Sequence, residues 1–416
     1  MSEYKLNRLE TTKLIGNIVD KHWASLRHAK ENGEKVAWCS GPVFAFPYAM
    51  DMKCHFMAGY SSYAGGRGAA QQLLEIAEED GELIDSCSYH KLHMGMAAAM
   101  RKNIPVRKDV ILPLPDLLIS GRLCPEMSHY AEGLYRKMGV RVTGVDVPPP
   151  HQKSEIKYFE KYVERQIRES LIPALEDVCG KPFNYDRLTE ILITLKETAI
   201  LRNECWEYLK LKPSPWTLWD YGVSIAPVFY LMGSPEAVPY YNKLKAELAD
   251  RAAKKIAALE PEKSRVYWDG WLPWAFLGKF SRIMCKLGMV PLVGRYPWEF
   301  FPHPETIDTE GDPVVSFVKQ VYSNGGQAKD NMPSLNLPVI QNWIEDYNID
   351  GLIMFSSKSC RMWNLGHNDF IAAIERQNGI PGVVIEGDMV DTRMNSFAQI
   401  ETRLEALAEM IEARKG

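Results

Sequence analysis

No run of roughly 18 uninterrupted apolar residues occurs in the 416-residue sequence, so no transmembrane helix is expected. Charge of one sign is lacking too. Forty-nine basic residues stand against 53 acidic ones, a net charge of −4, which gives no bulk field to hold nucleic acid or an anionic membrane. The opening MSEYKLNRLETTKLIGNIVDKHW has neither the apolar stretch nor the small-residue cleavage site of a secretory signal, and the expected compartment is the cytoplasm. No nucleotide-hydrolysis signature appears, so no nucleotide is expected on this chain. The eight cysteines, at 39, 54, 87, 124, 179, 205, 285 and 360, contain no C-x-x-C pair, which argues against a local zinc ribbon.

What is present is an ordinary globular composition, 46% hydrophobic and 11% aromatic, with enough chain for two or three cored domains. Leu6, Leu9, Leu14, Ile15 and Ile18 recur at helical spacing, which predicts an N-terminal helix over 1–30. Short apolar runs then alternate with helical stretches: Val36 to Trp38, Asp116 to Ser120 and Val140 to Val145 as strands, Ala69 to Glu79 and Ser128 to Lys137 as helices. That alternation builds a parallel sheet and predicts one α/β domain over 31–153. Pro148-Pro149-Pro150 marks a boundary, and 154–261 reads as a helical bridging region. A second α/β domain follows over 262–416, with strands Arg265 to Trp268, Met289 to Val293, Gly351 to Phe355 and Gly382 to Ile385. Its helices are expected near 274–286, 312–323, 338–346, 366–377 and 396–413. The fold class is α/β: two flavodoxin-like parallel-sheet domains bridged by helices.

Ligands of open α/β sheets sit beyond the carboxyl ends of the strands, so cysteines just after strands are the first candidates. Cys124 follows the strand ending at Ser120, Cys360 follows Leu352 to Phe355, and Leu83 to Tyr89 reads as a strand end carrying Cys87. If the two domains face each other across a cleft, the three thiolates converge there. Three thiolates with one open position suit a substrate-binding 4Fe-4S cluster. The plainer alternative is three unrelated buried cysteines, and spacing alone favours it. Cysteines 39, 54, 179, 205 and 285 read as structural. Near the three candidates lie His90, His93, Glu126 and His129, weak candidates for proton handling, and His367 is equally ambiguous. Gly65-Gly66-Arg67-Gly68 reads either as a phosphate cradle or, more simply, as a loop that starts a helix. The tryptophans of Trp268-Asp269-Gly270-Trp271-Leu272-Pro273-Trp274 read as core, or as the lining of an apolar acyl or aryl pocket.

Ser357-Lys358-Ser359-Cys360, then Ile385-Glu386-Gly387-Asp388-Met389-Val390-Asp391-Thr392-Arg393 and a last helix with Glu401-Thr402-Arg403-Leu404-Glu405, resemble the C-terminal signature of the benzoyl-CoA reductase and 2-hydroxyacyl-CoA dehydratase superfamily. Lys212-Pro213-Ser214-Pro215 and Pro113-Leu114-Pro115-Asp116 are similar too. The resemblance implies that Cys87, Cys124 and Cys360 bind one 4Fe-4S cluster per chain. It also implies an acyl-CoA substrate, a homologous cluster-bearing partner subunit and a separate ATP-hydrolysing iron-sulfur activator. Gly121-Arg122-Leu123-Cys124-Pro125-Glu126 stands where the dehydratase branch has Asn-Asn-Ile-Cys-Asn, and the Lys-Ser-Cys loop leans toward the benzoyl-CoA reductase B-type subunit. The expected activity is low-potential reduction of an aryl-CoA. Radical dehydration of a 2-hydroxyacyl-CoA is the alternative, double-cubane reduction of small molecules a third, and a non-catalytic electron-transfer or scaffold subunit the reading from another class.

Overall fold

The structure, a computed structural model, describes residues 4–41, 43–299, 303–322 and 333–416. Its strands are β1 (Lys5–Leu6), β2 (Val36–Ser40), β3 (Lys53–Phe56), β4 (Leu117–Arg122), β5 (Val142–Asp146), β6 (Leu259–Glu260), β7 (Ser264–Asp269), β8 (Met289–Val293), β9 (Gly351–Ser357) and β10 (Gly382–Gly387). Two four-stranded sheets carry the fold, ordered β3-β2-β4-β5 and β10-β9-β7-β8, and every pairing within them is parallel. The first sheet, numbered within its own half, reads 2-1-3-4, the opening of the flavodoxin-like order, and the second reads the same from its other edge. The α/β class with two such sheets is therefore observed, and the two halves repeat one architecture.

The fully buried strands form where apolar side chains run on without alternation. VAWCS of β2, SRVYWD of β7 and MVPLV of β8 are buried along their whole length, as strands covered by helices on both faces must be. Seven of the predicted strands occur, displaced by a residue or two, and the strand end read over Leu83 to Tyr89 does not. The sequence pattern does not predict β3; KCHF is short, begins with lysine and joins the sheet at its edge. Helices occupy every predicted stretch, for example Ala70–Glu79, Pro125–Met138 and Phe397–Lys415. The helix predicted to reach 323 is seen over Pro313–Val321, and residue 323 lies outside the described residues.

The N-terminal segment is more than a helix. Thr12–His28 buries Ile15, Trp23 and Leu26, and ahead of it β1 pairs antiparallel with β6, Lys5 opposite Glu260. Two-residue strands carry no periodicity, so this clasp has no signature in the sequence. Between the sheets in chain order run the long helices Tyr185–Glu207 and Ala237–Ala253 with shorter ones around them, including Ala226–Tyr230.

The glycine after the first strand of each half has a left-handed backbone, Gly41 at φ +109° and Gly270 at φ +103°. A Cβ on Gly270 would lie 2.3 Å from the Phe355 carbonyl oxygen, and one on Gly41 2.9 Å from the Gly121 Cα. The backbone thus turns tightly beside the third strand at the point where strand order reverses, opening a crevice above the sheet. Gly270→Ala combines an unfavourable φ with a backbone clash, and its expected cost is about 2–4 kcal/mol in denaturant unfolding; a loss under about 0.5 kcal/mol would contradict this packing.

Candidate active site

One cavity of about 220 Å³ lies beyond the carboxyl ends of both sheets. Gly41, Phe56 and Cys124 reach it from the first half, and Trp271, Cys360 and Met389 from the second. Cys87 lines it too, so the structure brings Cys87, Cys124 and Cys360 to one enclosed space. Cys87 does not follow a strand, however: Leu83–Ser86 is a turn, and Cys87 caps the helix Ser88–Lys102. Its exposed Leu83 and Ile84 imitate an apolar strand without being one.

All three cysteines occupy the N-cap of a helix, Cys124 before Pro125–Met138 and Cys360 before Arg361–Asn364. Burial pushes the Cys87 thiol well above its ordinary pKa, and the neighbouring Cys360 and Cys124 add to that. Burial raises Cys124 as well and lifts Cys360 to about 11. In the opposite direction, the backbone N–H groups of His90, Met127 and Trp363, each three residues past its cysteine, favour the ionised sulfur. Bare, the three thiols stay protonated at neutral pH; a cationic group between them would ionise them into ready-made N–H donors. Among the described residues no three His, Cys, Asp or Glu side chains are placed to hold a single metal ion. Three cysteines facing one enclosed space are the donor set that a three-thiolate iron–sulfur cluster would take.

Buried hydrogen bonds fix the third cysteine against the first. The Asp388 carboxylate accepts from the backbone N–H groups of Val390 and Asp391 at 3.0 and 2.8 Å and from the hydroxyls of Ser357 and Ser359. Since Ser359 spends its one proton on Asp388, the Ser88 hydroxyl donates to the Ser359 oxygen, 3.1 Å away. Ser88 adjoins Cys87 and Ser359 adjoins Cys360. A second network sits behind Trp363: buried Asp269 accepts from Arg295 through both oxygens at 2.9 Å, from Trp363 Nε1 at 2.8 Å and from the Tyr267 hydroxyl at 2.6 Å. Burial alone would push the Asp269 carboxyl up, but the Arg295 guanidinium holds it well below the usual range.

The other sequence candidates separate. Glu126 and His90 line the cavity, with Glu126 Oε2 3.5 Å from His90 Nδ1 and 3.4 Å from the Cys87 backbone nitrogen. The contact with His90 pulls the Glu126 carboxyl down, while burial keeps His90 low and hence neutral. His93 is instead fully buried against the first sheet, its Nε2 2.7 Å from His55 Nε2. His129 points to Glu82 at 3.0 Å, and His367 lies 3.7 Å from Asp269; neither reaches the cavity. Gly65 and Gly66 end the helix Met57–Gly66, Arg67 and Gly68 lead directly into the start of the helix Ala70–Glu79, as the simpler reading expects, and Arg67 pairs with Asp20. Of the tryptophans, Trp268 is core and Trp271 lines the cavity. Sequence reasoning missed Ser88, Asp269 and Asp388 because their roles depend on partners far along the chain.

Beside the cavity a charged clasp joins the halves: Arg393 donates to both oxygens of Glu78 at 2.8 and 2.6 Å, and buried Lys91 reaches Glu78 at 2.9 Å. The Arg393 hydrogen bonds draw the Glu78 pKa from 4.5 to about 2. A depressed folded pKa means that the ionised form stabilises the fold: the contribution is complete above about pH 4.5 and fades as pH falls to about 2. Glu78→Gln should therefore unfold more easily at neutral pH and show a flatter loss of stability between these limits; an unchanged acid profile would refute the clasp.

With this geometry in place, comparison with known proteins is specific. The family model described as 2-hydroxyglutaryl-CoA dehydratase, D-component, matches residues 45–411. The lactoyl-CoA dehydratase alpha subunit of Anaerotignum propionicum is 26% identical over 97% of this chain and 97% of its own. The B-type subunit of the Thauera aromatica benzoyl-CoA reductase is 28% identical over 96% and 94%, and the (R)-phenyllactyl-CoA dehydratase alpha subunit of Clostridium sporogenes 25% identical over 93% and 92%. Two matching sheets, a crevice with three cysteines and a family match across most of the chain agree, and the chain belongs to the 2-hydroxyglutaryl-CoA dehydratase, D-component family.

Proposed function

We propose that this chain is the cluster-bearing subunit of an enzyme that works on acyl-CoA thioesters by single-electron chemistry, reduction of an aryl-CoA being the first reading. The observation that carries the proposal is the convergence of Cys87, Cys124 and Cys360, from both halves, on one cavity. Bound to these sulfurs, a 4Fe-4S cluster supplies low-potential electrons and, at an iron without a protein ligand, Lewis acidity. The chain's own residues do the rest. The N–H groups of three helix starts favour the thiolates, and Phe56, Trp271, Trp363 and Met389 keep water from the reacting group. Their apolar and aromatic character suits an aryl substrate. His90 holds its proton at Nδ1 toward ionised Glu126, which places a polar pair at one wall.

Dehydration of a 2-hydroxyacyl-CoA is the second reading, favoured by the two relatives named as dehydratase alpha subunits. Those names also support a homologous partner subunit. Leu83, Ile84 and Leu365, exposed at 71%, 60% and 78% close to Cys87 and Cys360, offer apolar surface on which a partner or an ATP-hydrolysing iron-sulfur activator would dock near the cavity. No helix among the described residues is long and apolar enough to cross a membrane.

The test is an anaerobic assay of the chain, with and without its partner and an ATP-hydrolysing activator, on benzoyl-CoA and on 2-hydroxyacyl-CoA thioesters. Turnover only with the activator present, giving a dearomatised thioester, is the expected result; an enoyl-CoA product instead selects the second reading. Product formation coupled to ATP hydrolysis by the chain alone would overturn the division of labour.

A further inference from the structure

Two more cavities connect by shared lining residues to the cysteine cavity. The first, about 150 Å³, shares Phe56 and Ala58 with it and is otherwise walled mainly by apolar and aromatic side chains such as Ile15, Phe229 and Trp274. The second, about 450 Å³, shares Tyr230 with the first. All three follow the edge strand β3, which starts with Lys53 in the large cavity and ends with Phe56 in the other two, about 10 Å along the strand. The helix Thr12–His28 covers the middle and large cavities, sending Ile15 and Val19 to the middle one and Ile18 and Lys21 to the large one.

Chemical character changes along this line. The cysteine end and the middle are mainly apolar, while the large cavity carries Lys21, Lys53 and Lys243. Lys53 is engaged by Glu34 at 3.3 Å, and Glu236 is the one carboxylate on the lining. Lys21 and Lys243 are exposed and pair with no carboxylate among the described residues. Two unpaired ammonium groups at the mouth of an aromatic-walled cavity attract a phosphorylated ligand with an apolar body. An acyl-CoA thioester has that order: a triply phosphorylated nucleotide head, a long neutral arm, and the reacting acyl group at the far end.

We propose that the thioester enters along this run, its phosphates at Lys21 and Lys243, its arm passing Tyr230, and its acyl carbonyl in the cysteine cavity. Tyr230 stacks on His22 at 4.4 Å between ring centroids and forms the wall common to the head and arm compartments, so its bulk sets whether the arm passes. The inference rests on the acyl-CoA reading above and adds where on this chain the CoA is held.

Anaerobic calorimetry with CoA, adenosine 3′,5′-bisphosphate and pantetheine as separate probes tests it. The variant K21E/K243E changes two exposed side chains and should weaken CoA and the bisphosphate roughly tenfold to a hundredfold while leaving pantetheine unaffected. Raising the salt concentration should weaken wild-type binding of the same two probes. Tyr230→Trp should weaken CoA but not the bisphosphate, because it narrows the arm's passage and leaves the head's seat. Wild-type CoA binding that K21E/K243E leaves unchanged would overturn this route while the acyl-CoA reading stands. A wild-type chain that binds neither CoA nor any acyl-CoA would remove both.

Discussion

The architecture of the cavity depends on the buried carboxylate of Asp388. It accepts four hydrogen bonds, two from its own loop and two from Ser357 and Ser359 at the end of β9, and through Ser359 it reaches Ser88 in the other half. A buried hydrogen bond contributes about 0.5–1.5 kcal/mol, and leaving a buried partner unmatched costs about 1–3 kcal/mol. The consequence is geometric as well as energetic. Cys87 and Cys360 come from helices rooted in different halves, and a chain of two hydroxyls and one carboxylate sets their relative position. The Asp269–Arg295 pair does the same for Trp363, whose backbone N–H faces the Cys360 sulfur.

Doubling of the fold explains where the chemistry sits. Each half has the 2-1-3-4 type of strand order, and in each a cysteine follows the third strand, Cys124 after β4 and Cys360 after β9. Two copies of one crevice face each other, so their strand ends enclose a single cavity. Cys87 breaks the symmetry, since it caps a helix in the crossover between β3 and β4. Under the proposed function, three sulfurs are one fewer than the four that would ligate every iron of a 4Fe-4S cluster, which would leave one iron for substrate.

Much of this is legible in the sequence, for identifiable reasons. Parallel strands buried on both faces announce themselves, so Val36 to Trp38 and Met289 to Val293 can be read directly. Cys124 and Cys360 follow such strands and inherit their visibility. Strands of two to four residues are too short to leave a pattern, which hides β1, β3 and β6. Leu83 and Ile84 mislead in the opposite direction, being apolar but exposed. His93 looks like a neighbour of Cys87, yet three further residues of helix carry it away from the cavity and onto His55 in strand β3. Ser88 carries no local mark of its role, and the signature holding Asp388 does not reveal its partners: Ser359 and Ser88 are 271 positions apart, and only the folded chain joins them.

The central claim is that Cys87, Cys124 and Cys360 together hold one iron–sulfur cluster. Iron and acid-labile sulfide measured on anaerobically purified protein, alongside its reduced-state electron paramagnetic resonance spectrum, test it most directly. The account predicts equal iron and sulfide in the wild type, loss or severe depletion of both in Cys87→Ser, Cys124→Ser and Cys360→Ser, and full retention in Cys179→Ser and Cys285→Ser. Full iron and sulfide in all three of the first set, with an unchanged spectrum, would contradict it.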